Sequence, residues 1–104
     1  MTRRAFKMQL HPGNVEEYKK RHDELWPELA ELLKGAGVED YSIFLDEESL
    51  ELFGVMSVTN ETLMADLPNH PLMRKWWTYM KDIMASNKDH SPVSVPLKEV
   101  FHLA

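Results

Sequence analysis

Tyrosine, histidine and leucine side chains recur at helix spacing in the first third of the chain, at Tyr18, His22, Leu25 and Leu29. Side chains three and four positions apart share one face of a helix, and an apolar face of this kind normally turns toward the core. An imidazole titrates near neutral pH and can both donate and accept a proton, so this face carries a group able to catalyse proton transfer. A hydrogen-bonded core histidine is the alternative that the pattern leaves open.

A second group of aromatic residues could supply the walls of a pocket: Tyr41, Trp76, Trp77 and Tyr79. Tryptophan offers a flat apolar ring and one N–H donor, which suits a sugar, whose C–H groups make an apolar face edged by hydroxyls. Trp76 and Trp77 are adjacent, so on a helix they point about 100° apart, and at most one of them is expected to lie wholly in the core. Filling of the core by both tryptophans is the alternative.

Several other kinds of chemistry lack the residues they need. The chain has no cysteine, which excludes disulfides, thiolate nucleophiles and cysteine-ligated metals. Its histidines stand far apart, without the short His-x3-His spacing of many zinc sites. Glycine-rich phosphate-binding turns and a Gly-x-Ser-x-Gly turn do not occur in the sequence. We therefore expect neither a metal nor a cofactor, which leaves acid–base chemistry on a neutral molecule.

Length and charge restrict the remaining possibilities. With 104 residues, the chain suits one domain over residues 1–104. A net charge of −5 argues against nucleic acid and anionic membranes as partners, because both attract basic patches. The sequence shows neither a membrane-spanning run nor a signal-peptide core, so we expect a cytoplasmic protein. Two short basic groups are expected to be solvated, namely Arg3, Arg4 and Lys7, and Lys19, Lys20 and Arg21.

In the first part of the chain, the pattern predicts a strand followed by a helix. Apolar and polar residues alternate from Ala5 to Leu10, which is typical of a half-buried strand. Asn14 is predicted to cap a helix that runs to about Lys34. Proline removes a backbone hydrogen bond inside a helix, so we expect a kink near Trp26 or a restart at Pro27.

The rest of the chain predicts a hairpin, a second helical segment and a final strand. These elements are strands over 38–45 and 50–58, helices from Asn60 or Thr59 to Leu67 and over 72–84, and a last strand over 95–103. The polar turn between the first two strands favours an antiparallel hairpin. Gly54, inside the returning strand, indicates a bulge or a close approach of neighbouring atoms, or is simply tolerated there.

The predicted order β-α-β-β-α-β is that of the ferredoxin-like fold, an α+β sandwich with helices on one face of a four-stranded antiparallel sheet. The other face of the sheet is left uncovered. Apolar side chains on that face would be exposed in a chain this small, so pairing with a second copy is the expected remedy. We predict a homodimer, a dimeric α+β barrel, built by sheet-to-sheet packing.

Several stretches together closely resemble the L-rhamnose mutarotase family. They are Tyr18-x3-His22-x3-Trp26-Pro27-Glu28, Tyr41-Ser42-Ile43-Phe44-Leu45-Asp46, Trp76-Trp77-x-Tyr79-Met80-x-Asp82-Ile83-Met84, and the closing Ser91-Pro92 with Glu99-Val100-Phe101. The resemblance spans nearly the whole chain. It implies a cofactor-independent isomerase of carbohydrate metabolism that interconverts the α and β anomers of L-rhamnose, with a dimeric ferredoxin-like fold.

The same resemblance implies roles for individual positions. His22 matches the family's proton donor, and Tyr18, Tyr41, Trp76 and Trp77 match its sugar-binding positions. Opening a hemiacetal ring requires one proton on the ring oxygen and the removal of another from the anomeric hydroxyl, so general acid–base catalysis is sufficient.

The residue that takes the second proton is not identified by the sequence. Carboxylates that could accept it are Asp23, Glu28, Asp46 and Glu99, and a tyrosine or a bound water would serve as well. Two alternative functions also stay open, a small dimeric ferredoxin-like monooxygenase, which rests on fold analogy alone, and a sugar-binding protein without turnover.

Overall fold

The computed structural model describes residues 2–104, which contain four strands and four α-helices. They are β1 (Thr2–Gln9), α1 (Val15–Asp23), α2 (Pro27–Gly35), β2 (Val38–Leu45), β3 (Glu51–Val58), α3 (Glu61–Asp66), α4 (Pro71–Met80) and β4 (Val95–Leu97). The strands form one sheet in the order β2-β3-β1-β4, and all neighbouring strands are antiparallel. With each interrupted helical segment counted once, this is the predicted β-α-β-β-α-β order, and the ferredoxin-like α+β class is confirmed.

The first helical segment is divided in two, as expected from its proline. The N–H of Leu25 donates to the carbonyl of His22 over 3.2 Å, which closes the end of α1. Trp26 is extended, with φ −58° and ψ 127°, and Pro27 occupies the first turn of α2. Proline lacks an N–H, but the first turn of a helix leaves that group unpaired anyway. The predicted restart at Pro27 is therefore confirmed.

Two asparagines precede helices, but only one caps its helix with its side chain. The Oδ1 of Asn60 accepts a hydrogen bond from the N–H of Leu63 over 3.0 Å, which confirms the predicted cap of α3. Asn14 lies just before α1, as predicted. Its side-chain amide, however, donates to the carbonyls of His11 and Pro12, so it stabilises the preceding turn instead of the first helical N–H groups.

Two predicted elements are shorter in the structure. The helix expected to reach Met84 ends at Met80, because Met84 forms a β-bridge with Leu10. The strand expected over 95–103 ends at Leu97. Beyond it, the apolar side chains at 100, 101 and 103 are 78–88% exposed. These side chains have no surface of the chain to pack against, so their alternating pattern is not enough to form a strand.

One face of the sheet packs against the helices and forms the core. Along β3 the buried residues alternate strictly, with Leu52, Met56 and Val58 buried toward the helices. Gly54 shares that face and lies opposite Phe6 of β1. An ideal Cβ at Gly54 would lie 2.5 Å from the Phe6 ring, which confirms the close approach expected there. Because glycine has no side chain, the Phe6 ring can lie directly over the strand.

The opposite side of the sheet, here called the bare face, has no helix over it. Its apolar side chains, brought together by the strand register, are Ala5, Phe44, Phe53, Val55, Val95 and Leu97. Phe44 is 61% exposed. Contiguous apolar surface of this kind on a small protein typically marks an interaction site.

Replacing Gly54 with alanine should destabilise the fold. The added methyl group would displace the Phe6 ring, and overpacking of a core typically costs about 1–3 kcal/mol. Denaturant unfolding followed by circular dichroism measures the change in free energy. Gly35→Ala is the matched control, because an ideal Cβ at Gly35 meets nothing within 4 Å. Equal free energies of unfolding for the two variants would contradict the steric account.

Candidate active site

A cleft of about 1070 Å³ lies between helices α1 and α2 and strand β2. Its helical wall carries the four residues predicted to share one stripe, Tyr18, His22, Leu25 and Leu29. All four residues therefore line the cleft although the helix is interrupted at Pro27. The break changes the direction of the chain but leaves these side chains facing the sheet.

The opposite wall is formed by β2, and the floor comes from more distant parts of the chain. Tyr41, Ile43 and Leu45 line the cleft from the strand. Trp76 and Met73 close it from α4. The structure thus brings Tyr18, His22, Tyr41 and Trp76 together around one space, although they are up to 58 positions apart in the sequence.

The imidazole of His22 is held between aromatic rings and tied to its own helix. The ring stacks on Tyr18 at a centroid distance of 4.4 Å, and Trp76 meets it edge-on at 5.5 Å. Its Nδ1 lies 3.0 Å from the carbonyl oxygen of Tyr18. A carbonyl can only accept a hydrogen bond, so Nδ1 carries the proton, and in the neutral ring Nε2 keeps its lone pair.

Burial decides the protonation state of this histidine. Loss of hydration lowers the pKa of His22 below its ordinary value of 6.5, and this outweighs the opposing effects of the hydrogen bond to the Tyr18 carbonyl and the charge of Asp23. Desolvation disfavours the charged form of an imidazole. The ring is therefore neutral at neutral pH, with Nε2 available as a proton acceptor.

The two tyrosines of the cleft keep their protons. Burial raises the pKa of the Tyr18 phenol well above its ordinary range, and the neighbouring Tyr41 adds to that rise. Tyr41 is 38% exposed at the side of the cleft, yet desolvation raises the pKa of its phenol to about 12. Both phenols are thus hydrogen-bond donors at neutral pH.

The adjacent tryptophans have different surroundings. Trp76 is buried and lines the cleft, while Trp77 is half-buried and packs against the core cluster. Two further aromatic rings contact Trp76: Trp26, which packs against the same cluster, at a centroid distance of 5.0 Å, and the exposed Tyr79 at 5.7 Å. Tyr79 follows Trp76 at helix spacing, three residues on, whereas Trp26 stands in the break between α1 and α2.

Arg21 departs from the solvated role expected of it. Its side chain is only 10% exposed, and its guanidinium lies 4.3 Å from the centre of the Tyr79 ring. Nη1 donates to the Tyr79 carbonyl over 2.7 Å and to the carboxylate of Asp82 over 2.9 Å. This pairing holds the pKa of the Asp82 carboxyl below its ordinary value. The expectation of a solvated Arg21 was wrong, because its partners lie about 60 positions away.

Of the four carboxylates considered as proton acceptors, Asp23 is the one that lines the cleft. Its Oδ2 lies 2.9 Å from the Nζ of Lys19. Glu28 faces a second groove, between α2 and α3, Asp46 accepts backbone N–H groups of the β2–β3 turn, and Glu99 lies near Arg3.

Two further acidic residues, Glu39 and Asp40, border the cleft, and the sequence pattern does not single them out. Both stand at the start of β2, where polar residues look like the exposed half of an alternating strand. Asp40 has a positive φ of 48°, a feature that composition and periodicity do not reveal.

The histidines lie in separate places. His22 is in the cleft, His70 accepts the N–H of Leu72 at the start of α4, His90 lies beside the hydroxyl of Thr78, and His102 contacts Arg3. Within residues 2–104, no three or more His, Asp or Glu side chains converge as a metal site would require. In the same part of the chain, no helix combines the length and apolar character needed to cross a membrane.

Two structural likenesses differ sharply in strength. The crystal structure of an L-rhamnose mutarotase from Formosa agariphila superposes with a TM-score of 0.93 at 50% identity, over 100% of both chains. A putative antibiotic biosynthesis monooxygenase from Nitrosomonas europaea superposes with a TM-score of 0.63 at 10% identity, over 95% of this chain and 89% of that one. The second likeness shows a shared fold alone and does not favour the monooxygenase alternative.

Sequence comparisons agree with the first likeness. A protein from Sinorhizobium fredii named L-rhamnose mutarotase is 60% identical over 104 residues, which is 100% of both chains. One of the same name from Rhizobium meliloti is 59% identical over 99% of both chains. The family model for L-rhamnose mutarotase matches residues 3–103. This chain therefore belongs to the L-rhamnose mutarotase family.

Proposed function

We propose that this isomerase interconverts the α and β anomers of L-rhamnose in the cleft around His22. The observation that carries the assignment of the site is the neutral imidazole, whose Nδ1 is occupied by the Tyr18 carbonyl and whose Nε2 remains an acceptor among aromatic rings. A proton acceptor in a cleft with two phenol donors suits the opening of a sugar hemiacetal.

In the ring-opening step, Nε2 of His22 takes the proton of the anomeric hydroxyl. The C1–O5 bond breaks as the C1 carbonyl forms, and the electron pair of that bond goes to the ring oxygen. A phenol whose pKa is raised to about 12, as that of Tyr41 is, releases a proton only to a strongly basic oxygen. The developing O5 alkoxide is such an oxygen, so a cleft phenol can protonate it at that moment.

Ring closure reverses these transfers on the other face of the aldehyde. Rotation about the C1–C2 bond presents the opposite face of C1 to the O5 hydroxyl. That hydroxyl returns its proton to the phenol as it attacks C1, and the protonated His22 gives its proton back to the former carbonyl oxygen. His22 is thus the base in ring opening and the proton donor in ring closure, which is compatible with the donor role that the family resemblance implies.

The remaining aromatic residues hold the sugar. Trp76 offers an apolar face on the cleft floor, and Tyr18 and Tyr41 offer hydroxyls from opposite walls. Binding energy from these contacts orients the anomeric carbon against Nε2, and orientation of this kind can lower a reaction barrier substantially. The sugar-binding role of Trp77 stays a prediction of the family resemblance, since its ring packs against the core.

Replacing His22 with asparagine should slow anomer exchange by about 10²- to 10⁴-fold, the usual contribution of one general acid–base group. In the wild-type enzyme, kcat/KM should be flat above pH 6.5 and should fall as pH decreases through the lowered pKa of His22, because protonation removes the acceptor. Saturation-transfer NMR on L-rhamnose measures the exchange rate.

Two controls belong to that experiment. The rate without enzyme is subtracted at each pH, since buffers also catalyse mutarotation, and circular dichroism verifies that His22→Asn is folded. Activity that increases on acidification below pH 6.5 would contradict the base role of the neutral imidazole. A folded His22→Asn enzyme with unchanged exchange would remove His22 from the mechanism.

The two tryptophans provide a matched pair of substitutions. Trp76→Phe should raise KM by about threefold, because a smaller ring loses part of an aromatic contact worth about 1 kcal/mol. Trp77→Phe should instead lower the free energy of unfolding, since Trp77 contacts the core cluster. Exchange kinetics and thermal unfolding of both variants test this, and an equal rise in KM would show that Trp77 also meets the sugar.

We also propose that residues 1–104 act as one domain and that two copies pair through the bare face. The two core clusters of the chain share contacts with Phe6 and Leu33, which supports a single unit. The apolar bare face and the exposed Val100, Phe101 and Leu103 support pairing, because burial of such surface drives association. The cytoplasmic location expected from the sequence stays a prediction.

A charge on the bare face should prevent this pairing. Val55 lies on the central strand β3, and Val55→Glu should convert the dimer into a folded monomer because an unpaired charge in an apolar interface is costly. Sedimentation velocity measures the mass of the particle. Leu63→Glu is the control, since Leu63 is an exposed leucine on α3, away from the bare face. An unchanged dimer in Val55→Glu would exclude this interface.

A further inference from the structure

The edge strand β2 contains an irregularity directly beside the cleft. Val38 pairs with Val58 and Glu39 with Ser57, but the next pair is Ser42 with Val55. Two residues of β2, Asp40 and Tyr41, therefore stand opposite one residue of β3, Met56. An extra residue of this kind defines a β-bulge, which bends the strand and redirects its side chains.

The bulge depends on the backbone conformation of Asp40. Its φ of +48° lies in the left-handed region, which is strained for most residues with a side chain. Glycine adopts it readily, and aspartate and asparagine tolerate it better than other residues. A β-branched residue strongly disfavours this conformation. Position 40 is therefore restricted by its backbone, whatever its carboxylate contacts.

The extra residue determines which face of the sheet Tyr41 occupies. In a regular ladder continued from Glu39, Tyr41 would stand opposite Val55, whose side chain is on the bare face. With the bulge, Ser42 takes the place opposite Val55, and Tyr41 turns to the helical side. There its ring lies 6.2 Å from that of Phe6, and it lines the cleft.

The bulge also keeps both ends of β2 in register with the core. Val38, before it, is buried, and Ile43 and Leu45, after it, line the cleft. A side-chain period of two cannot place residues 38 and 43 on one face of a regular strand. Without the bulge, one end of β2 would have to turn its apolar residues away from the helices.

We propose that Asp40 is a positioning residue for the sugar site, whose left-handed backbone forms the bulge that directs the Tyr41 phenol into the cleft. The inference rests on the proposed function in one respect, that Tyr41 contacts the sugar. It assigns the role to the backbone of residue 40 and not to the carboxylate, so glycine should substitute for aspartate and valine should not.

Kinetics of Asp40→Val and Asp40→Gly separate these roles. Loss of one phenol contact should raise the KM for L-rhamnose about tenfold in Asp40→Val, while Asp40→Gly should stay within about twofold of the wild type. In a Tyr41→Phe background, Asp40→Val should add little further effect, because the hydroxyl it would displace is already absent. Asp40→Ala takes the place of Asp40→Val if the valine variant does not fold.

His90→Val is the matched control for backbone strain. His90 has a φ of +73° and lies outside the residues that line the cleft. The substitution should lower the melting temperature without raising KM. A rise in KM equal to that of Asp40→Val would overturn the proposal, because strain anywhere in the chain would then be sufficient.

Nuclear Overhauser contacts between the Tyr41 and Phe6 rings provide a readout independent of activity. They should be present in the wild type and in Asp40→Gly and absent in Asp40→Val. Contacts that persist in Asp40→Val, or a KM raised equally by glycine and valine, would overturn the proposal. Wild-type protein that does not accelerate exchange would instead overturn the proposed function, and the ring contacts would still decide the role of Asp40.

Discussion

The guanidinium of Arg21, on a side chain that is only 10% exposed, joins the two helical parts on which the site depends. It receives support from Glu17 on its own helix and from Asp82 just beyond α4, and its Nη1 donates to the Tyr79 carbonyl. A charge that is partly withdrawn from water is most stable when it is paired and hydrogen-bonded. Because His22 is the next residue, the same contacts fix the rotation of the last turn of α1, a nine-residue helix too short to be stable alone.

The aromatic packing that follows from this attachment also sets the chemistry. Tyr79, under the guanidinium, contacts Trp76, and Trp76 contacts the His22 ring. These rings exclude water from the imidazole, and the loss of hydration lowers its pKa. The aromatic contacts that pack this part of the core therefore also keep the imidazole neutral and able to accept a proton. A more solvated histidine would be charged over a wider range of pH and would less often be able to accept a proton.

The features that the sequence predicted well are those with a local period. The stripe from Tyr18 to Leu29, the restart at Pro27 and the cap at Asn60 each depend on residues within about three helical turns. The pairing of Arg21 with Asp82 could not be predicted, because Asp82 is 61 positions away. The strand expected to reach Leu103 was wrong for a related reason, since alternation indicates that a segment could be a strand but not whether a surface exists for it to cover.

The irregular positions of the sheet are concentrated beside the cleft. Gly54 leaves space for the Phe6 ring, and that ring packs against Tyr41, which the bulge at Asp40 turns toward it. Each departure from a regular strand is unfavourable by itself, through backbone entropy at the glycine and a left-handed conformation at the aspartate. Such costs are usually retained where function requires an exact geometry. The two irregularities lie on adjacent strands and act on the same tyrosine, so this wall of the cleft is specified by the backbone as much as by the side chains that line it.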